Sequence, residues 1–337
     1  MSLTEKERLA AVLAKQPADR PPVICPGGMM SAATSAVLTS FAHDFHSNPA
    51  VMASVAEAIW QNTGFENLGV PFCMTVEAEV FGSTVDVGDA GVEPCITKYG
   101  ATELAAILAS PLPDPAKDGR SPVVLAAIEK LAARHADIPV IGNLTGPVSL
   151  ATSIIDPLYF FRLMRKTPEQ VTAVLQYLTD YLAAFARAQV AAGAGVIAIA
   201  DPTATGEILG NANFQRFVIP QLLRLVREIR QSGAGVIVHI CGDATVLLSS
   251  LQVLTGAVLS FDSIVNLVKA KTVLGGIPVM GNVNTQLLHT GEVGRIAQHA
   301  GHLAAQGVDI IAPACGISLA TPKANLNALT NTVKGRR

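Results

Sequence analysis

Gly235-Val236-Ile237-Val238-His239-Ile240-Cys241-Gly242 is an apolar run that ends in polar side chains able to bind metal. Near-continuous hydrophobicity over so few residues, closed by glycines, marks a strand buried on both faces. The same unit recurs on either side. Upstream, Gly195 to Ala200 is followed by a helical pattern from Phe214 to Ser232, and Val140-Ile141-Gly142 precedes a long one from Pro168 to Ala192. Downstream, Ala244 to Leu251 is helical, Val258 to Phe261 is a strand and Val265 to Ala270 a short helix. Pro278 to Gly281 and Val308 to Ala312 are strands, leading to helices Glu292 to Ala305 and Lys323 to Val333. Strands alternating with helices mean a parallel sheet. The number of units favours a closed eight-stranded TIM barrel, (β/α)8, over an open doubly wound sheet.

Before residue 122 the rhythm is less regular. Thr4 opens a helix to about Lys15, with Glu7 at capping-box spacing. Pro17 to Pro22 breaks it, Val23-Ile24-Cys25 is a short strand, and Pro49 to Asn62 is helical. Glu77 to Val87 and Val92 to Thr97 alternate between apolar and polar residues across Gly88-Asp89-Ala90-Gly91, the pattern of an inserted β-hairpin. No repeat, low-complexity tract or linker divides the chain. The expectation is one α/β domain over residues 1–337, with an N-terminal helical segment, an inserted hairpin and a solvated tail from Lys334 to Arg337.

Composition excludes several classes. With 24 basic and 26 acidic residues the net charge is −2, so the chain has no general basic face for a phosphate backbone. Aromatics at 5% leave few platforms for stacking single-stranded nucleic acid. Charged residues at 15% against 50% hydrophobic exclude disorder. Apolar stretches such as Val190 to Ala200 fall short of the ~20 residues of a membrane span. The charged start lacks a signal-peptide core. Five widely spaced cysteines, an odd number, do not make a disulfide framework. A cytoplasmic protein that binds neither membrane nor nucleic acid is expected.

Barrel active sites form at the carboxyl ends of strands. The polar residues there are Asn143, Asp201, His239 with Cys241, Asp262, Asn282 with Asn284, and Cys315. Asp and Asn at such places also cap helices. In a strand, residues two apart face the same side, so His239 and Cys241 can aim at one point, which Cys315 can reach from a later strand. One imidazole and two thiolates make a three-ligand zinc site with its fourth position open, and soft thiolates favour zinc over magnesium, calcium or manganese. Two small buried cysteines beside a hydrogen-bonded histidine would satisfy the same pattern. Cys25, Cys73 and Cys95 read as buried packing residues. His43 and His46 read as surface residues, and His135, His289, His299 and His302 as helix residues facing solvent. Glu77 and Glu79 share a face of the hairpin, solvated or paired for acid–base work. No P-loop, G-x-G-x-x-G or G-x-S-x-G sequence occurs.

Several strings occur in order: Pro71 to Glu79, Gly142 to Pro147, Asp201 to Gly206, His239 to Gly242, Ser260 to Asp262, Met280 to Asn284 and Gly307 to Ile317. In combination they resemble the methylcobamide:coenzyme M methyltransferase branch of the uroporphyrinogen decarboxylase superfamily, over nearly the whole chain. The resemblance implies a TIM barrel with zinc at its mouth, held by His239, Cys241 and Cys315. It implies methyl transfer between a corrinoid on a separate partner protein and a small thiol such as coenzyme M. Zinc would lower a substrate thiol's pKa, and the two thiolate ligands, by offsetting the metal's charge, would leave that sulfur electron-rich. Asp201, Glu79 and Asp262 are the expected catalytic carboxylates above the metal. Asn143, Asn282 and Asn284 are the expected cofactor-binding residues. Transfer from a small methyl donor to the corrinoid is the alternative. Decarboxylation is less favoured, because it needs arginines near the first strand to hold its carboxylates, and none occurs between Arg20 and Arg120.

Overall fold

Alternating buried and outward residues curl one sheet around an apolar interior. The computed structural model describes residues 2–41 and 43–336. Seven parallel strands follow the order β1 (Leu68–Val70), β4 (Val140–Thr145), β5 (Val196–Ala200), β6 (Gly235–Ile240), β7 (Val258–Phe261), β8 (Val279–Val283) and β9 (Ile310–Pro313). A separate antiparallel pair joins β2 (Thr84–Asp86) to β3 (Cys95–Lys98). Ile141, Val196, Ala198, Ile237, Val258, Met280, Ile310 and Ala312 form the interior cluster. Their neighbours Ile197, Ile199, Val236, Val238 and Leu259 belong instead to the larger core that includes the surrounding helices.

The expected strand at Val23–Cys25 is a single parallel bridge from Val23 to Ile311. Ile24 donates its backbone N–H to Ile311 at 3.1 Å, and Ile311 donates to Pro22 at 2.9 Å. On the other side one backbone bond and an asparagine side chain replace the ladder. Asn67 accepts from the Cys25 N–H and donates to its carbonyl, while Glu66 donates its N–H to Val23. The parallel sheet thus has seven strands, and the segment Pro22–Cys25 is hydrogen-bonded between β9 and the residues just before β1. Strand β1 escaped the sequence reading because three residues before Pro71 carry no periodicity. Gly69 within it is required: a Cβ there would lie 1.9 Å from the Pro26 carbonyl oxygen.

Helix Glu5–Leu13 begins with the expected capping box, Thr4 accepting from the Glu7 N–H and Glu7 from the Thr4 N–H. Leu9 and Val12 enter the interior cluster, and Leu13 lies against Gly235, the first residue of β6. The helix therefore plugs the amino-terminal end. Two expectations are corrected. Val76–Val80 is a helix, with Val76, Glu77 and Ala78 all buried, so the hairpin begins only at Thr84; burial overrode the alternation. Lys334 is not a solvated tail residue: its side chain is 7% exposed and pairs with Glu5 at 3.7 Å. Arg337 lies outside the described residues. Among the described residues no helix is long and apolar enough to cross a membrane.

Candidate metal centre and adjoining cavity

The strand period sets the site. Two residues above the apolar layer the interior row becomes polar: Asn143, His239, Ser260 and Asn282. Two further on it reads Thr145, Cys241, Asp262 and Asn284. Cys315 arrives from the loop after β9. The ligand atoms of His239, Cys241 and Cys315 all lie within 4.8 Å of one another. The two sulfurs are 3.0 Å apart. His239 Nδ1 lies 3.0 Å from Ser260 Oγ, which in turn lies 3.9 Å from Met30 Sδ. If the serine donates to the thioether sulfur, its oxygen accepts from Nδ1–H, and the Nε2 lone pair is left free. Nε2 is buried and has no hydrogen-bond partner among the described residues.

The two thiols titrate as a pair. The hydrogen bond from Cys241, helped by His239, holds the Cys315 thiol down to about 5 against burial. That same bond, then burial and the negative charges of Cys315 and Asp262, pushes the Cys241 thiol up. Protein alone thus supports one thiolate readily and a second only with a compensating cation. A buried imidazole nitrogen without a partner costs about 1–3 kcal/mol. A soft divalent ion answers both demands, so the residues fit the metal that their types imply.

A cavity of about 610 Å³ opens beside Cys315 and Asp262. Leu38, Phe45, Phe72 and Met74 supply apolar wall, and Asp89 and Glu93 come from the hairpin. No Lys or Arg lines it among the described residues. Two histidines do, His46 and His289, and the Nδ1 of each is buried without a partner among the described residues. His46 is 4% exposed, not the surface residue expected, and burial, with the Arg120 charge added, lowers its pKa to about 4. His289, half-buried, also lines the cavity.

The other expected site residues are placed differently. Asp262, half-buried, does line the cavity. Asp201 does not. It has the outward parity of Ile197 and Ile199, is fully buried, and accepts from Val148 N, Ser149 N and Ser149 Oγ at 3.1, 2.8 and 2.6 Å. It therefore caps helix Pro147–Ile154 of the preceding unit. Burial outweighs those hydrogen bonds and raises its pKa to about 6. Glu79 lies on the short helix and pairs with Arg120 at 2.5 Å. Its neighbour Glu77 is the buried one, accepting from Thr145 N at 2.8 Å and Thr145 Oγ1 at 3.1 Å. Burial raises Glu77 to about 7.

The asparagines also bind backbone. Asn143 donates to Pro26 and Val70, and Asn282 to Asp262 and Val265. Asn284 caps Leu287 and donates to Ser263. None of the three lines the cavity. Cys25 and Cys73 are buried, but Cys95 is exposed on the hairpin. Ser260 and Arg120 are not singled out from the sequence, and His46 and His289 read there as surface and solvent-facing residues. Only Ser260 carried a signal, standing two residues before Asp262 on the interior row.

The uroporphyrinogen decarboxylase (URO-D) family model matches residues 4–336. A methylcobamide:CoM methyltransferase of Methanosarcina acetivorans is 31% identical over 98% of both chains. A methylated-thiol–coenzyme M methyltransferase of Methanosarcina mazei is 30% identical, covering 86% of this chain and 78% of its own. Among solved structures, a methyltransferase from Methanosarcina mazei superposes with a TM-score of 0.91 over 99% of both chains, at 30% identity.

Proposed function

The chain belongs to the uroporphyrinogen decarboxylase family, and from that premise we propose that it transfers a methyl group between a corrinoid and a small thiol. The curled sheet and the stitched segment Pro22–Cys25 act as a closed (β/α)8 barrel, with a zinc ion at its mouth held by His239, Cys241 and Cys315. The observation that carries the reading is the buried, unpartnered His239 Nε2 beside two sulfurs 3.0 Å apart. When bound, zinc supplies the acidity that keeps a thiol ionised near neutral pH, while the two cysteine ligands offset its charge. The chain's own residues do the rest. Ser260 holds the imidazole tautomer. Cys315 stands between cluster and cavity, so a substrate sulfur that enters the cavity meets it. Apolar wall from Phe45 and Phe72 excludes water from the sulfur. The corrinoid arrives on a separate protein, in the cytoplasm.

Transfer from a methylated small molecule to the corrinoid is the second reading, supported by the relative named for methylated thiols. Decarboxylation is disfavoured by a cavity that offers no Lys or Arg to a polycarboxylate. The test is methylcobalamin demethylation followed at the corrinoid's visible absorbance, with wild type, metal-stripped and zinc-restored protein. Restored protein should react with a thiol and stripped protein should not. Equal rates with and without metal would remove zinc from the reading.

A further inference from the structure

The relatives are named for coenzyme M, a thiol with an anionic sulfonate tail. The cavity is built for a different charge. Its lining stretch from Gly28 to Pro94 falls in a part of the chain with no Lys or Arg between Arg20 and Lys98. Its charged groups are Asp262 inside and Asp89 and Glu93 at the exposed hairpin. Arg120 is the cation behind the wall, but its nitrogens are engaged. Nε donates to Glu79, Nη2 to Thr75 Oγ1 at 2.9 Å, and Nη1 to Cys73 Sγ at 3.9 Å. Helix starts do not substitute for a cation. Helix Val76–Val80 has Glu77 and Glu79 in its first turn, and helix Thr285–Thr290 is one short segment capped by Asn284.

Against this acidic, uncompensated background stands a neutral polar pair. His46, 4% exposed, and His289, half-buried, line the cavity, and the Nδ1 of each is buried with no hydrogen-bond partner among the described residues. A neutral imidazole with a free nitrogen can accept from an ammonium or hydroxyl donor or donate to a hydroxyl oxygen.

We propose that the thiol used by this enzyme has a tail without negative charge, an amine or hydroxyl held by His46 and His289 with Asp262 and the hairpin carboxylates favouring the amine. The proposal rests on the methyl-transfer reading and narrows its substrate class. An anionic tail would enter beside Asp262 without a counter-ion, which costs affinity wherever the site is shielded from water.

The test has two parts. First, binding of the S-methylated forms of cysteamine, 2-mercaptoethanol and 2-mercaptoethanesulfonate is titrated by ligand-observed NMR, with and without metal. These thioethers have no ionisable sulfur, so only the tail differs. The amine should bind about tenfold or more tightly than the sulfonate, with the alcohol between. His46→Ala should weaken the amine and alcohol, and Asp89→Asn/Glu93→Gln should narrow the amine-to-alcohol ratio. Second, the three free thiols are compared in methylcobalamin demethylation. The amine and alcohol should show the higher kcat/KM, with the difference mainly in KM. Gln286→Lys, which adds a cation at the cavity, should raise use of the sulfonate. Sulfonate bound and used as well as the other two overturns this proposal and leaves methyl transfer standing. Reaction with none of the three thiols overturns both.

Discussion

The two ends of the curled sheet solve opposite problems with polar groups. At the amino-terminal end Glu66 is 1% exposed and surrounded by donors: Arg8 Nη1 at 2.9 Å, Arg20 Nη1 at 2.8 Å and Val23 N at 2.9 Å. Arg8 is completed by Asp19 and the Leu3 carbonyl. Burial works against the Glu66 charge, but these donors outweigh it and hold its pKa below the usual range. At the carboxyl-terminal end, among the described residues, His239 Nε2 has no partner, two thiols crowd each other, and two cavity-lining histidines each hold a buried Nδ1 without one. A saturated network stabilises; an unsaturated one stores binding capacity for something the protein does not itself contain. Substitutions should therefore cost activity at one end and stability at the other.

The largest effect is expected at the cluster. Cys315→Ala should abolish stoichiometric zinc, about one per chain in the wild type, and slow methyl transfer by roughly 10³-fold, about 4 kcal/mol, with the melting temperature nearly unchanged for the metal-free forms. Full zinc content in the variant, by elemental analysis, would break the contrast at that end. Next is Glu66→Ala. It leaves Arg8 with Asp19 as its remaining carboxylate, removes the buried acceptor of Arg20 and of the Val23 N–H, and should cost about 3 kcal/mol of unfolding free energy. Denaturant titration measures it; a loss below about 1 kcal/mol would mean the network is ornamental. Zinc content per folded chain should not change.

Glu77 sharpens the comparison, because it lies between the ends in behaviour: hydrogen-bonded, yet raised to about 7 by burial. Its folded pKa exceeds the ordinary value of 4.5. The folded state therefore holds the proton through a window where the unfolded state has released it. Stability from this group is present below about 4.5 and is lost as pH rises towards 7. Glu77→Gln removes the titration. From pH 5 to pH 8 the variant should gain on the wild type by on the order of 2 kcal/mol. A stability difference that stays flat across that range would show that Thr145 satisfies the charge fully.

What could be read without coordinates follows from period and residue type. The parallel α/β rhythm from Val140 onward stood out because strands buried on both faces are apolar throughout. Strand period lets His239 and Cys241 aim at one point, but the pattern fits buried packing equally well, and it is the resemblance that implies a metal set with Cys315. Parity could also have placed Asp201: it is odd-numbered like the outward Ile197 and Ile199, whereas β5's interior residues are Val196 and Ala198. The expectation of a catalytic Asp201 overlooked that count. By contrast, His46, His289 and Arg120 reach the cavity region from a loop and helix ends, where no period applies. The helix at Val76–Val80 was hidden because five residues of alternating character fit a strand equally well until tertiary burial decides.

The smallest effect predicted tests whether the cluster is merely gathered or also oriented. Ser260 is fully buried, and its only hydrogen bonds among the described residues are those to His239 Nδ1 and Met30 Sδ and its strand contacts. Ser260→Ala leaves all three ligands in place and removes no charge. It does free the imidazole to carry its proton on Nε2, the nitrogen that must be bare to bind metal. The deletion should weaken zinc about tenfold, roughly 1.4 kcal/mol, in competition with a chelator of known affinity. Stability of the metal-free protein should fall by no more than about 1–2 kcal/mol, the range for losing one buried hydrogen bond. If Ser260→Ala holds zinc as tightly as the wild type, the tautomer is set elsewhere. The carboxyl-terminal end would then differ from the amino-terminal end in ligand identity alone, and not in how its side chains are held.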